Sequence, residues 1–266
     1  MRNNTQPVFI VGTGRCGTRA LYKMLLGVPG VEAHHEYLCT HVQQIACLYS
    51  MGRMSRWEAC QKLYAIYGAA VELTDADVWV DSSNKASWVI DILRTILPKS
   101  KFVCLYRDGR KVVSSFYHKL AAECYDDKSV EALTAWYEGE GPMPPPEKKY
   151  WWRVLHGDRL DQFTRMCWHW RDCNAEIRRQ TKGLPGCAIS TKIEELAASP
   201  DRVDALADFI GIPRSSSYFE QLQRPEGVFF PMDFTLTPEQ EERFNRICGP
   251  MMKELGYDGD VYRVNY

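Results

Sequence analysis

The chain has 266 residues, a formal net charge of −1 and 45% apolar residues, and its pI is near 6.6. This length is enough for one large α/β domain with a sizeable core. The balanced charge gives no electrostatic case for a nucleic-acid or membrane partner, and no apolar run approaches the roughly 18 residues of a membrane-spanning helix. Residues 1–6 lead straight into a predicted core strand and leave no room for a signal peptide, so we expect a cytoplasmic protein.

A glycine-rich loop follows the first apolar run. Residues 7–11 have the continuous apolar character of a buried parallel strand, and residues 20–26 have helical spacing. Between them lies the sequence Gly12-Thr13-Gly14-Arg15-Cys16-Gly17-Thr18-Arg19. Its glycines let backbone N–H groups converge on an anion at a helix N-terminus, and Thr18 and Arg19 add a hydroxyl and a charge. The segment therefore predicts a phosphate-binding unit, although a plain strand-to-helix turn also fits the glycine spacing.

This loop lacks part of the nucleoside triphosphatase motif. Gly12 and Gly17 have the outer spacing of that motif, but Thr18 and Arg19 stand where it needs Lys followed by Ser or Thr. The cation lies inside the loop instead, as Arg15. Because the phosphate-bridging lysine is missing and the hydroxyl is one position early, the loop argues against a magnesium–nucleoside triphosphate site.

A second polar motif follows another buried-strand pattern at residues 101–106. The strand pattern ends at Arg107, and a predicted helix carries Ser115 eight residues later. In an open parallel sheet, ligands bind at the carboxyl ends of the strands. A guanidinium and a hydroxyl at this spacing are suited to binding one phosphate from two sides. The alternative is a solvated basic helix start, which we favour for Lys111.

These two motifs resemble those of sulfotransferases that use 3′-phosphoadenosine 5′-phosphosulfate (PAPS), and most closely the tyrosylprotein and bacterial branch. Gly14 to Thr18 resembles the 5′-phosphosulfate loop of that branch, and Arg107 with Ser115 resembles its 3′-phosphate motif. The likeness covers about residues 7 to 260 with a gap near residues 123–160. The resemblance implies PAPS as co-substrate and no metal. It also implies a set of donor-binding residues: Gly14, Arg15, Cys16, Gly17, Thr18, Arg19, Arg107 and Ser115.

The fold expected from both pattern and resemblance is a P-loop-like three-layer α/β fold with a central, mostly parallel sheet flanked by helices. Strands near residues 8–11, 78–80, 101–106 and 186–190 alternate with helical segments. We expect one sulfotransferase domain over residues 1–266. The Gly- and Pro-rich stretch at residues 138–147 has aromatic residues on both sides and predicts an acceptor-site loop or lid at about residues 123–160. Surface packing or an oligomer contact fits this stretch equally well.

The catalytic assignment depends mostly on the resemblance. Glu36 lies 21 residues after Arg15, the spacing at which the tyrosylprotein branch carries its catalytic glutamate. His35 stays open as the general base, since an unperturbed imidazole titrates near neutral pH. Lys85, in a segment that resembles one placing a lysine in the site, and Arg15 would offset negative charge on the leaving phosphate. The expected reaction is transfer of a sulfuryl group from PAPS to the hydroxyl of a small molecule, with a peptide tyrosine or a sugar left open.

Two other functions fit part of the sequence. A P-loop small-molecule kinase would use Asp81, at the end of a predicted strand, to support magnesium. A non-catalytic protein that senses the desulfated nucleotide would need only the two phosphate motifs. The missing lysine in the first loop weighs against the kinase, and the set of Glu36, Arg15 and Lys85 weighs against the sensor.

Overall fold

The structure is a computed structural model, and its chain forms two compact units. The residues that the structure describes are 4–121, 125, 127–142, 160–224 and 236–257. Unit 1 comprises Met1–Arg107 and Glu176–Gly227, and unit 2 comprises Asp108–Ala175 and Val228–Tyr266. The expectation of one domain over residues 1–266 stays a prediction, because two compact units are compatible with one domain.

A parallel sheet of five strands forms the centre of unit 1. The strands are β1 (Gln6–Val11), β2 (Val31–His35), β3 (Val78–Ser82), β4 (Lys101–Tyr106) and β5 (Ala188–Lys192). Their order across the sheet is β2-β3-β1-β4-β5, and every neighbouring pair is parallel. All the carboxyl ends therefore lie at one edge, which is the ligand-binding edge of such sheets.

Helices connect and flank these strands, as predicted for an α/β fold. In chain order they are α1 (Thr18–Leu25), α2 (Cys39–Ser50), α3 (Arg56–Leu63), α4 (Ala69–Leu73), α5 (Ile90–Ile96), α6 (Gly109–Lys119), α7 (Asp127–Glu138), α8 (Gln162–Thr181), α9 (Ile193–Ala198), α10 (Pro200–Ile210), α11 (Ser216–Leu222) and α12 (Pro238–Glu254). A π-helical turn, Tyr64–Gly68, joins α3 to α4, and a 3₁₀ turn, Ala86–Trp88, precedes α5. Among the described residues, no helix has the length and apolarity needed to cross a membrane.

The two faces of the sheet carry different cores. Because side chains alternate along a strand, Val8 and Ile10 face one side and Phe9 faces the other. The first side belongs to an aliphatic cluster with residues of α1, α10 and α11. The second side is aromatic, with the Phe9 ring 5.2 Å from the Tyr67 ring and 5.8 Å from the Phe102 ring. Each fully buried apolar side chain of this kind contributes about 1.5–3 kcal/mol to folding.

The structure differs from the sequence-based expectation at β2. The sequence pattern predicted no strand at residues 31–35, and His35 was considered only as a candidate base. Val31–His35 is instead an edge strand of the sheet, paired on one side with β3, and each of its residues is only partly buried. Because an edge strand is not fully buried, it needs no continuous apolar run, and that run is the pattern by which the other strands were predicted.

The predicted lid region is described only in part. Within residues 123–160, the structure describes Tyr125, Leu160 and residues 127–142, which contain α7. This helix was not predicted. Residues 143–159, which include three of the four prolines of that stretch, lie outside the described residues, so the lid stays a prediction.

Unit 2 contains the helix that follows the second motif. Gly109 begins α6 and packs so closely on aromatic rings that an added Cβ would lie 2.8 Å from a Trp170 ring atom and 2.9 Å from a Phe244 ring atom. Ser115 lies in the same helix and is completely buried. The close approach explains why the Arg107-Asp108-Gly109 sequence has a glycine at the start of the helix.

Candidate active site

The glycine loop between β1 and α1 has a backbone that only a glycine-rich sequence adopts easily. Gly14 and Gly17 have φ of 75° and 107°, in the left-handed region. An added Cβ at Gly12 would lie 2.4 Å from the Cys16 Sγ and 2.8 Å from the Leu105 carbonyl oxygen. The loop therefore needs these glycines both for conformation and for close packing.

Arg15 is the non-glycine residue of this loop with a positive φ, at 55°. A left-handed conformation costs an L-residue roughly 1–2 kcal/mol, and such strain is typical of functional sites. The Arg107 Nη1 donates a hydrogen bond to the Arg15 carbonyl oxygen over 2.8 Å. Arg107, from the second motif, thus hydrogen-bonds to the backbone of the glycine loop and stabilises it. The sequence spacing did not predict this contact.

Ser87, in the 3₁₀ turn that follows β3, also stabilises the glycine loop. Its Oγ accepts a hydrogen bond from the Gly12 N–H and donates one to the Gly12 carbonyl oxygen, each over 2.9 Å. Sequence reasoning missed this residue, because its partner is 75 residues away and no local pattern marks the contact. These two hydrogen bonds fix the position of the backbone where β1 ends and the loop begins.

Cys16 points into the loop rather than out of it. Its side chain has no exposed area, and burial raises the pKa of its thiol although backbone hydrogen bonds within the loop oppose that shift. A neutral, buried thiol supports the loop by packing. Its predicted part in ligand binding would therefore involve its backbone and not its sulfur.

Helix α1 begins directly after the loop and offers its positive end at the ligand-binding edge. Gly17 occupies the N-cap position, no side chain caps this N-terminus, and the first turn has no acidic residue. Thr18 is buried and Arg19 is exposed. An uncapped helix N-terminus beside a glycine loop favours a bound anion, which fits a phosphate or phosphosulfate group.

The carboxyl ends of β2 and β3 bring together two predicted catalytic residues. The Lys85 Nζ donates a hydrogen bond to the Glu36 Oε1 over 2.8 Å. The Lys85 side chain is 5% exposed, whereas that of Glu36 is 30% exposed. We call this site the acid–base corner, comprising residues 35–37, 81, 82 and 85. Its carboxylate is open to an incoming group while its cation stays largely shielded from water.

Several bonds fix the turn that carries Glu36. The Glu36 N–H donates to the Ser82 carbonyl oxygen over 3.1 Å, which continues the register that pairs His35 with Ser82. The next N–H, of Tyr37, donates to the Asp81 Oδ1 over 3.0 Å. These bonds hold Glu36 at φ 58°, which is again a left-handed conformation of a non-glycine residue.

Asp81 lies fully buried behind this turn. Its second oxygen, Oδ2, accepts a hydrogen bond from the Tyr67 hydroxyl over 2.9 Å. Burial raises the pKa of Asp81 to about 7, although the Tyr37 and Tyr67 donors favour the ionised form. Both oxygens are therefore occupied inside the core, which is unsuitable for the magnesium-supporting role that a kinase would require of this residue.

His35 has a setting different from that of Glu36. Its ring stacks on Tyr22 with centroids 5.7 Å apart, and its Nδ1 lies 2.9 Å from the Ser82 carbonyl oxygen, to which it donates. Burial lowers the pKa of this imidazole, which favours its neutral form. The Ser82 carbonyl and the Tyr22 ring thus fix the imidazole at the end of β2, whereas the Glu36 carboxylate contacts the cation of Lys85.

Arg107 lies at the carboxyl end of its predicted strand, and Ser115 lies within its predicted helix. Arg107 directly follows β4, and Ser115 lies in α6. Their joint binding of one phosphate stays a prediction from the sequence spacing. Arg107 is in unit 1 with the glycine loop and the acid–base corner.

Solved structures of similar fold come from bacterial sulfotransferases. The sulfotransferase domain of the curacin biosynthetic pathway has a TM-score of 0.54 at 12% identity, covering 96% of this chain and 99% of that one. The domain of the Synechococcus PCC 7002 olefin synthase has a TM-score of 0.54 at 14% identity, covering 98% of both chains. A sulfotransferase from Alicyclobacillus acidocaldarius also has a TM-score of 0.54 at 14% identity, covering 97% of this chain and 95% of its own. At such identities the likeness shows the fold.

The sequence itself carries a family signature. No curated protein sequence matches it significantly. The model of the sulfotransferase family, however, matches residues 7–141, just over half of the 266 residues, and this stretch contains the glycine loop, the acid–base corner and Arg107. With the fold in agreement, the chain belongs to the sulfotransferase family.

Proposed function

We propose that the protein transfers a sulfuryl group from PAPS to the hydroxyl of a small acceptor molecule, with Glu36 as the general base. The observation that carries this proposal is the 2.8 Å contact between Glu36 and Lys85 at the edge of the sheet that also bears the glycine loop. The family supplies the reaction class, and the residues at this edge supply the groups that such a transfer needs.

The donor's 5′ end would lie in the glycine loop. Backbone N–H groups from Gly14 to Arg19 and the positive end of α1 are suited to the phosphosulfate. Arg15 adds a cation within the same loop. The fit is supported by the close packing at Gly12 and by the absence of a side-chain cap on this helix.

The donor's 3′-phosphate is assigned from the sequence motif alone. Arg107 would bind it through paired N–H donors and Ser115 through its hydroxyl. Arg107 also donates to the Arg15 carbonyl oxygen, so the guanidinium would link the two phosphate ends of the donor site.

The chemical step needs positioning and charge compensation more than covalent assistance. By analogy with phosphoryl transfer, the sulfuryl group passes in line through a loose transition state, and negative charge grows on the leaving phosphate. Lys85 and Arg15 would offset that charge. Glu36, whose carboxylate contacts the Lys85 ammonium, would accept the proton of the attacking hydroxyl. No metal is required in this scheme.

Nucleotide binding tests the donor assignment. We expect 3′-phosphoadenosine 5′-phosphate to bind far more tightly than ATP or ADP in calorimetry, with the same affinity in the presence of magnesium or of a chelator. Magnesium-dependent ATP binding of equal strength would contradict the proposal in favour of a kinase.

The acceptor is tested separately. Pools of alcohols, phenols, sugars and tyrosine peptides are incubated with PAPS and screened by mass spectrometry for the gain of one SO₃ group. Modification of a small hydroxylated compound is the expected result. Tight nucleotide binding without transfer to any pool would favour the non-catalytic sensor.

A further inference from the structure

Asp81 is a buried acidic residue that the proposed mechanism leaves without a task. It lies in β3 directly after Val78, Trp79 and Val80, and it has no exposed area. A carboxyl group in such a place is unfavourable unless both of its oxygens are hydrogen-bonded. Both are bonded here, one to the Tyr37 N–H and one to the Tyr67 hydroxyl.

The Tyr37 bond acts on the turn that presents Glu36. Glu36 and Leu38 both have positive φ, of 58° and 43°, so the turn between β2 and α2 contains two strained non-glycine residues. Such a turn persists only where its surroundings hold it. The bond from Tyr37 to Asp81 is one residue from Glu36 and fixes the peptide immediately after it.

The Tyr67 bond holds Asp81 itself. Tyr67 lies in the π-helical turn Tyr64–Gly68, and π turns occur frequently at functional sites. Its side chain is fully buried, with its ring 5.2 Å from that of Phe9 and 5.9 Å from that of Trp79. A hydroxyl on so confined a ring has little freedom, so Asp81 has a fixed orientation.

We propose that Asp81 is a positioning residue, which holds the Glu36 carboxylate beside Lys85 through the Tyr37 N–H. The inference rests on the proposed function, because Glu36 matters in this way only as the base. Asp81 touches no reacting group. Its contribution is to keep the carboxylate in the geometry that proton transfer requires, where a displacement of about 1 Å can cost about 10²-fold in rate.

The first test compares Asp81→Ala with Asp81→Asn. The alanine variant removes the acceptor of the Tyr37 N–H, so the single-turnover rate should fall by about 10–100-fold while affinity for 3′-phosphoadenosine 5′-phosphate stays within about twofold. The asparagine variant keeps an amide oxygen at that position and should recover most of the rate. An unchanged rate in Asp81→Ala, or a rate equally low in both variants, would overturn the proposal.

A readout independent of the reaction is hydrogen exchange at the Tyr37 amide. In Asp81→Ala this amide should exchange at least about tenfold faster, whereas amides of β1 keep their protection and Asp81→Asn behaves like the wild type. Asp91→Ala is the matched control. Asp91 also accepts a hydrogen bond from a tyrosine hydroxyl, that of Tyr49 over 2.9 Å, but it is not part of the acid–base corner. Equal protection of Tyr37 in Asp81→Ala and the wild type would overturn the proposal.

A second pair of variants, Tyr67→Phe and Tyr49→Phe, tests the proposal if Asp81→Ala does not fold. Tyr67→Phe removes only the hydroxyl that holds Asp81 and should lower the rate by about 3–10-fold, while Tyr49→Phe should not change it. An unaltered rate in Tyr67→Phe would then count against the proposal. Glu36→Gln is measured alongside. A normal rate in Glu36→Gln would mean that the proposed base is wrong, whereas a collapsed rate in Glu36→Gln with a normal rate in Tyr67→Phe would refute the positioning role alone.

Discussion

The glycine loop and the acid–base corner lie at the same edge of the sheet but are built differently. The loop is a single short segment whose own glycines give it its conformation. The corner combines two segments, in which Glu36 and Lys85 are 49 positions apart, and its Asp81 is held by Tyr67, which is 14 positions away. We therefore expect changes at the glycines of the loop to act on stability and donor binding, and changes in the corner to act on the rate of the chemical step.

The largest effect is expected at the base. Glu36→Gln keeps the size of the side chain but cannot accept the proton, so turnover should fall by about 10²–10⁴ with nucleotide affinity nearly unchanged. Single-turnover measurements at saturating donor and acceptor check this. His35→Asn is the control and should have a smaller effect. A collapsed rate in the histidine variant beside normal chemistry in Glu36→Gln would transfer the role to His35.

The next effect concerns donor binding. Arg107→Ala removes a charged contact that exists before and throughout the reaction, which should weaken binding of 3′-phosphoadenosine 5′-phosphate by roughly 1.5–3 kcal/mol. Ser115→Ala removes a neutral hydroxyl and should cost roughly 0.5–1.5 kcal/mol. Titration calorimetry measures both. If neither variant changes the affinity, the 3′-phosphate assignment is wrong.

A change in the loop itself should lower stability. At Gly17 an added Cβ would lie 2.7 Å from the Ile193 Cγ1, and φ is 107°, so Gly17→Ala should reduce the free energy of unfolding by about 1–3 kcal/mol. Gly27→Ala is the matched control, since its φ is 81° but no atom lies within 4 Å of the added Cβ. Denaturant titration should show the larger loss for Gly17→Ala. Equal losses would mean that backbone strain, and not close packing, accounts for the effect.

The corner should also affect how stability depends on pH. Burial raises the pKa of Asp81 from 3.8 to about 7, so between these values the folded protein binds more protons at this group than the unfolded chain does. The contribution of Asp81 to the free energy of unfolding is therefore fully present below about pH 4 and is lost as the pH rises toward 7. Urea titrations across this range should show a smaller decline with pH in Asp81→Asn than in the wild type. An identical pH dependence in both would contradict the raised pKa.

The sequence by itself determined much of the framework around the site. Continuous apolar runs predict β1 and β4, because strands buried on both faces of a parallel sheet have no polar positions to alternate with. Glycine positions and the following helical spacing predict the loop and α1. The family resemblance, found on short motifs near Arg15 and Arg107, is confirmed by the family match and by the fold.

Only the tertiary structure decided how the acid–base corner is held. Strand β2 is a half-buried edge strand with a mixed pattern, and its identity depends on pairing with β3. The contacts of Asp81 with Tyr37 and Tyr67 join residues 44 and 14 positions apart, and no local periodicity encodes them. A sequence pattern indicates which side of one segment is buried. These hydrogen bonds depend instead on which distant segments become adjacent when the sheet forms.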